Sequence, residues 1–140
     1  MKLGFVSAIV PELSLMDVLK LARDLGYQCV EVMCWPMGKA ERRYAGVTHI
    51  DAATLDDAGA SRVQELCQTT GVTLSGLVYY PNPLGPRQDE SGIAVTHLKH
   101  VFHAAARLGV PVVNTFIGRD PALTVEANWP RFRQVWGDLL

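Results

Sequence analysis

Two polar residues stand where apolar ones are the rule. Glu31 lies inside the run Cys29 to Met33, and Asn114 lies inside the run Val110 to Ile117. A carboxylate within an apolar strand needs a partner, because an unpaired buried charge is costly. Either Glu31 faces a pocket, where it binds a substrate hydroxyl or supports a metal, or it pairs with an arginine or lysine of a neighbouring strand. Asn114 runs against strand propensity. Its amide suits donation to a substrate oxygen, and a polar ladder between strands is the alternative. Period-two alternation sets Glu31 and Met33 opposite Val30 and Val32. It likewise sets Val112, Asn114 and Phe116 opposite Val113 and Thr115.

Around these two residues lie groups suited to a polyhydroxylated ligand. Trp35 ends the second apolar run, and Tyr79, Tyr80 and Asn82 end the third. Aromatic rings stack on the apolar faces of sugars while their polar tips reach hydroxyls, or else they pack on neighbouring loops. One of the two adjacent tyrosines must point towards the helices. His49, in a long loop, is a candidate for touching ligand. His97, His100 and His103 are spaced i, i+3 and i+6, and each step of three turns a helix by about 300°. The trio therefore fans across the surface, without an H-E-x-x-H to make a metal site. Arg119 is read as a solvated loop arginine before an anion site. There is no G-x-S-x-G, P-loop or G-x-G-x-x-G, so hydrolase-triad, nucleotidase and dinucleotide readings lose their cheapest support.

The elements that must position these residues repeat one pattern four times: an apolar run, a polar loop, a helical stripe. The first run is Leu3 to Val6. Ser14 with Asp17 then reads as a helix cap before a stripe of Leu15, Val18, Leu19, Ala22 and Leu25. Cys29 to Met33 follows, then a long loop. Thr54 and Asp57 repeat the cap spacing before Ala60, Val63, Leu66 and Cys67. The third run is Val72 to Tyr80, with a helix from about Gly92 carrying Ala94, Leu98, Val101, Phe102 and Ala105. After Val110 to Ile117, a fourth helix opens near Asn128 with Pro130 in its first turn and Phe132, Val135, Trp136 and Leu139 on one face. Gly26, Gly71 and Gly109 each end a helix and lead into a strand.

Strands alternating with helices imply right-handed crossovers and a parallel sheet, so the fold class is α/β. A (β/α)8 barrel takes about 250 residues, and four units are roughly half of one. Residues 1–140 are therefore read as a single domain, a parallel (βα)4 half of a TIM barrel. The last helix runs to Leu139-Leu140 without glycine, basic turn or polar tail, which reads as truncation. A complete four-unit open sheet of the flavodoxin kind is the alternative. A half-barrel is expected to expose apolar strand edges and to self-associate as a homo-oligomer. Function collects at the carboxyl ends of parallel strands. The loops Trp35 to Ala53 and Pro81 to Ser91 are both longer than the usual connection of about 2–6 residues.

A net charge of −1 gives no electrostatic reason to expect nucleic acid or an anionic membrane. The apolar runs are strand-sized, so none is expected to span a bilayer. The opening residues lack a secretory h-region, and three cysteines without C-x-x-C spacing read as reduced thiols in a cytoplasmic protein.

The stretches Val30-Glu31-Val32-Met33-Cys34-Trp35-Pro36, Gly38 to Asp51, Tyr80-Pro81-Asn82-Pro83 and Val113 to Pro121 together resemble the sugar phosphate isomerase/epimerase family, within the xylose-isomerase-like TIM barrels. The resemblance runs over essentially the whole chain. It implies a divalent metal, manganese, magnesium, cobalt or zinc, held in the full-length protein by a glutamate, an aspartate, a histidine and a second glutamate on strands five to eight. Those strands are not in this chain, so no metal ligand is assigned here and the chain alone is expected to be inactive. Carried over as substrate-binding are Glu31, Trp35, His49, Tyr79, Asn82 and Asn114. The implied activity is metal-dependent isomerisation or epimerisation of a small-molecule sugar or sugar phosphate, by proton transfer through an enediolate. Alternatives are a lyase or dehydratase of the same superfamily and a non-catalytic half-barrel binding or assembly protein. An endonuclease for abasic DNA is weaker, since the rim lacks a basic stripe.

Overall fold

A computed structural model describes residues 1–38 and 45–140. Lys39 to Tyr44, part of one stretch that carries the resemblance, lie outside the described residues. The chain runs β1 (Gly4–Val6), α1 (Leu15–Asp24), β2 (Cys29–Met33), α2 (Asp57–Thr70), β3 (Thr73–Val78), α3 (Gln88–Leu108), β4 (Val113–Asn114) and α4 (Val125–Leu139), with a 3-10 turn at Ser7–Ile9. The four strands form one parallel sheet in the order β1-β2-β3-β4. This is the expected α/β array of four βα units.

The apolar stripes explain the packing. Val18, Leu19 and Ala22 of α1, Ala60 and Val63 of α2, and Leu98, Val101 and Ala105 of α3 are buried in one cluster with Val30, Val32 and Leu77 of the sheet. The opposite face carries a smaller cluster of Ala8, Met33, Val47 and Val78. One face is thus roofed by helices, and the other is the inner face of a partial barrel. Among the described residues, no helix is long and apolar enough to cross a membrane.

Caps fix the helix starts. Ser14 Oγ accepts from the Asp17 amide at 3.2 Å, as its spacing predicts. At α2 the cap is Asp56, whose carboxylate accepts from the Gly59 amide at 2.6 Å. Thr54 instead donates to the Asp51 carboxylate at 2.8 Å. The expected cap was two residues early because Asp51 captures the threonine in a turn of its own. Helix α3 begins at Gln88, ahead of Gly92, and ends in left-handed Gly109 at φ 70°. Helix α4 is capped by Thr124, so Pro130 falls inside it and not in its first turn. Leu25, counted on the α1 stripe, is exposed because it sits past the last helical residue.

The fourth strand is far shorter than its apolar run. Leu77 donates to the Val112 carbonyl at 3.0 Å and Tyr79 to that of Asn114 at 3.1 Å. The next donor in this series would be residue 81, which is proline and has no N–H. The ladder therefore stops at Asn114.

Moving the α2 cap has a measurable consequence. In urea denaturation, Asp56→Ala should lose about 1 kcal/mol of stability and Thr54→Ala clearly less. Equal losses would return the cap to Thr54.

Candidate functional site

Glu31 and Asn114 meet. They belong to strands that do not touch, with β3 between them. Glu31 lies opposite Gly76, and Asn114 lies opposite Val78. The Asn114 amide donates to the Glu31 carboxylate across β3. No ion pair to Glu31 forms among the described residues. Both side chains are half-buried on the inner face. Beside them, Tyr80 and Phe116 stack with ring centroids 4.7 Å apart and planes at 28°. Burial raises the Tyr80 phenol above its ordinary pKa, with the Glu31 charge acting in the same direction. Phe116 is 59% exposed. The inner face thus presents a carboxylate, an amide and an aromatic platform in one patch.

Trp35, Tyr79 and Asn82 line a separate cavity of about 650 Å³ between the loop after β2, the loop after β3 and the start of α3. Tyr80 lines it too, so the two regions share one wall. Of the two tyrosines, Tyr79 is the one that points to the helices. It is buried, edge-on to Trp35 at 4.9 Å and to His97 at 4.7 Å. Burial pushes its phenol up to about 12, so it is neutral and acts as a packed ring. The Trp35 indole N–H is buried without a hydrogen-bond partner among the described residues.

The amide of Asn82 is spent on the backbone. Its oxygen accepts from Arg119 N at 3.0 Å and its nitrogen donates to Arg119 O at 2.9 Å. That two-point clamp ties the loop after β3 to the loop after β4. Gly118 lies beneath it with φ 78°, where an added Cβ would meet Asn82 and Pro83.

His49 is held at both ring nitrogens, away from the inner patch. Its Nε2 lies 3.3 Å from the Val10 carbonyl, and its Nδ1 lies 3.0 Å from Ser7 Oγ. A carbonyl only accepts, so Nε2 carries the proton and Nδ1 accepts from the serine hydroxyl. Ser7, fully buried, in turn accepts from the Met33 amide at 3.0 Å. This relay joins the end of β1, the end of β2 and the long loop. Cys34 is buried, and burial lifts its thiol to about 12, which rules it out as a nucleophile.

The histidine trio does not lie wholly on the surface. His97 is buried and donates from Nε2 to the Cys34 carbonyl at 2.7 Å, because its position coincides with the sheet-facing side of α3. Sequence reading missed it, although Ala94, Leu98, Val101 and Ala105 mark that side. It also missed Ser7 and the pairing of Phe116 with Tyr80, itself already named as a rim aromatic. The face shared by Phe116 and Asn114 was the available signal for the last.

Burial holds the His97 imidazole below its ordinary value; the Cys34 carbonyl and Asp51 oppose the shift, and His100 adds to it. His49 is lowered by burial as well. An unfolded chain binds protons at these sites before the folded one does. Stability is therefore full above the ordinary histidine range and falls as pH drops through about 6.5. His97→Phe should cost about 1–2 kcal/mol and flatten the decline of the unfolding midpoint between about pH 7 and about pH 5. An unchanged slope would remove His97 from this role.

The family described as xylose isomerase-like TIM barrel matches residues 19–140. No curated protein matches the sequence. Among solved structures, the chain is similar to a D-psicose 3-epimerase of Clostridium cellulolyticum H10, solved with D-tagatose. The TM-score is 0.67 and the identity 15%, over 99% of this chain and 47% of that one. A xylose isomerase domain protein of Planctomyces limnophilus gives a TM-score of 0.66 at 15% identity, over 99% and 49%. Another from Alicyclobacillus acidocaldarius gives 0.52 at 25% identity, over 81% and 35%. The chain spans about half the length of the first two structures or less. With four parallel strands roofed by helices and a match over residues 19–140, the chain belongs to the xylose isomerase-like TIM barrel family.

Proposed function

We propose that the inner face is the substrate-side wall of a sugar isomerase or epimerase. The observation that carries this reading is the Glu31 carboxylate lying beside the half-buried Tyr80, on which the exposed Phe116 stacks. Aromatic faces take the C–H side of a sugar ring, and a carboxylate accepts its hydroxyls. The family and the epimerase named among the similar structures support the same substrate class. Trp35, in the cavity that shares the Tyr80 wall, is proposed as an apolar boundary of the site.

The reaction proposed for the whole protein is proton transfer next to a carbonyl, through an enediolate. Among the described residues, no three histidine, cysteine, aspartate or glutamate side chains converge to hold an ion. The divalent metal that the resemblance implies is proposed for the full-length protein. What this chain contributes is binding and orientation. Glu31 fixes hydroxyls, the rings fix the plane of the sugar, and the clamps at Asn82 and His49 keep the loops in place.

Titration of the chain with D-fructose or D-tagatose, followed by NMR, tests the reading. Glu31→Gln should weaken binding by about tenfold or more, the scale of one lost hydrogen bond to a charge. Phe116→Ala should weaken it by a few-fold. A chain that binds neither ketose would end the sugar reading.

One further observation favours self-association. Among the described residues, the outer edges of β1 and β4 have no strand partner within the sheet. Next to the β4 edge, Val112, Phe116 and Ile117 are 42%, 59% and 61% exposed. Unpaired edges flanked by apolar side chains recruit other chains. Light scattering on the 140-residue chain should show dimers or larger species, shifted towards monomer by Ile117→Lys. A cooperatively folded monomer would count against it.

A further inference from the structure

Gly76 faces Glu31 across the β2–β3 ladder, between that carboxylate and Asn114. Its backbone does not call for glycine, since it is absent from the residues with positive φ. Space calls for it. A Cβ built at Gly76 would lie 3.1 Å from Asn114 Nδ2 and 3.4 Å from the Val112 carbonyl oxygen. Strands β2 and β4 are separated by two strand spacings, about 10 Å. Opposite Glu31 the intervening strand presents no side chain, which leaves room there for the two to meet. The register slip that omits Ser75 is what puts the glycine there: Val30 pairs with Leu74 and Glu31 with Gly76.

We infer that Gly76 is a specificity-determining residue: by leaving the floor of the inner face empty, it lets Glu31 and Asn114 join into one row that receives two adjacent hydroxyls of a sugar. The inference rests on the sugar-binding reading above. The chemistry of the row follows from what the hydrogen bond leaves over. One carboxylate oxygen accepts from Asn114. The other oxygen remains an acceptor, and Asn114 keeps a second N–H donor and its own carbonyl acceptor. An acceptor, a donor and an acceptor held in fixed order match neighbouring hydroxyls, each of which donates one bond and accepts others. Asn114 acts through the carboxylate as a positioning residue as well as touching ligand. A Cβ at position 76 would press on the Asn114 amide, which would have to give by a few tenths of an ångström and so shift against Glu31.

The test is a double-mutant cycle on the 140-residue chain, with D-fructose and its single-deoxy analogues as probes. Gly76→Ala should weaken D-fructose binding about tenfold and shift the Asn114 side-chain amide resonances, while circular dichroism shows the fold retained. In an Asn114→Ala background, Gly76→Ala should add no further loss. Loss of one hydroxyl of the bound pair should matter much less in the Gly76→Ala variant than in the parent. Equal losses from Gly76→Ala in both backgrounds, or unchanged binding in a folded Gly76→Ala chain, would overturn the inference. Should Gly76→Ala alone unfold, the double variant, from which the clashing amide is gone, must fold for the inference to stand. The amide resonances need no sugar. If the parent chain binds none, the sugar reading and the specificity role both fall, and an amide shift still reports the pairing across β3.

Discussion

Between Val30 and Glu31 the pairing of β2 with β3 slips by one residue, from Leu74 to Gly76. A strand's side chains alternate strictly, so a one-residue slip reverses every later position. Both Leu74 and Leu77 consequently join the helix-side core, which regular alternation would forbid. Past the slip, Gly76, Val78 and Tyr80 share the inner face, and Leu77 and Tyr79 share the buried one. The distribution of polar chemistry depends on this step. It sends one tyrosine to the core, where its phenol is insulated, and the other to the platform beside Glu31.

Three side chains with chemical potential serve instead to brace the loops. His49 spends both ring nitrogens on Val10 and Ser7, Asn82 spends its amide on Arg119, and His97 spends Nε2 on Cys34. Loops at the carboxyl rim are long and carry backbone groups with no ladder to satisfy them. Each of these side chains supplies a bond that regular structure cannot. Their value to a binding site is indirect but real. The Asn82 clamp fixes the chain just past Phe116, and the His49 relay locks the end of β2 just past Glu31.

The architecture was legible because it rests on local patterns. Stripes such as Val18, Leu19 and Ala22, and closing glycines such as Gly71 and Gly109, read directly as elements. The choice of Glu31 and Asn114 was legible as well, since each breaks the composition of its own strand. Their partnership left two readings open. An amide partner for Glu31 in place of a cation depends on a glycine 45 residues away from it in sequence and on a slip that alternation alone cannot reveal. The same non-locality hid the α2 cap. Thr54 and Asp56 are equally plausible until Asp51 is seen to hold the threonine.

The exposed aromatic platform follows from the same missing amide that shortens β4. With no N–H at Pro81, the chain beyond Asn114 has no donor from β3 to hold it in the ladder. Phe116, which shares the face of Asn114, is left beside the end of β3 with its ring free to lie on Tyr80. Proline at the strand end thus ends the pairing just before the residue whose ring stacks on Tyr80 beside the Glu31–Asn114 pair. A carbohydrate's C–H groups present a face, and the exposed Phe116 ring is the group on this wall best able to meet it.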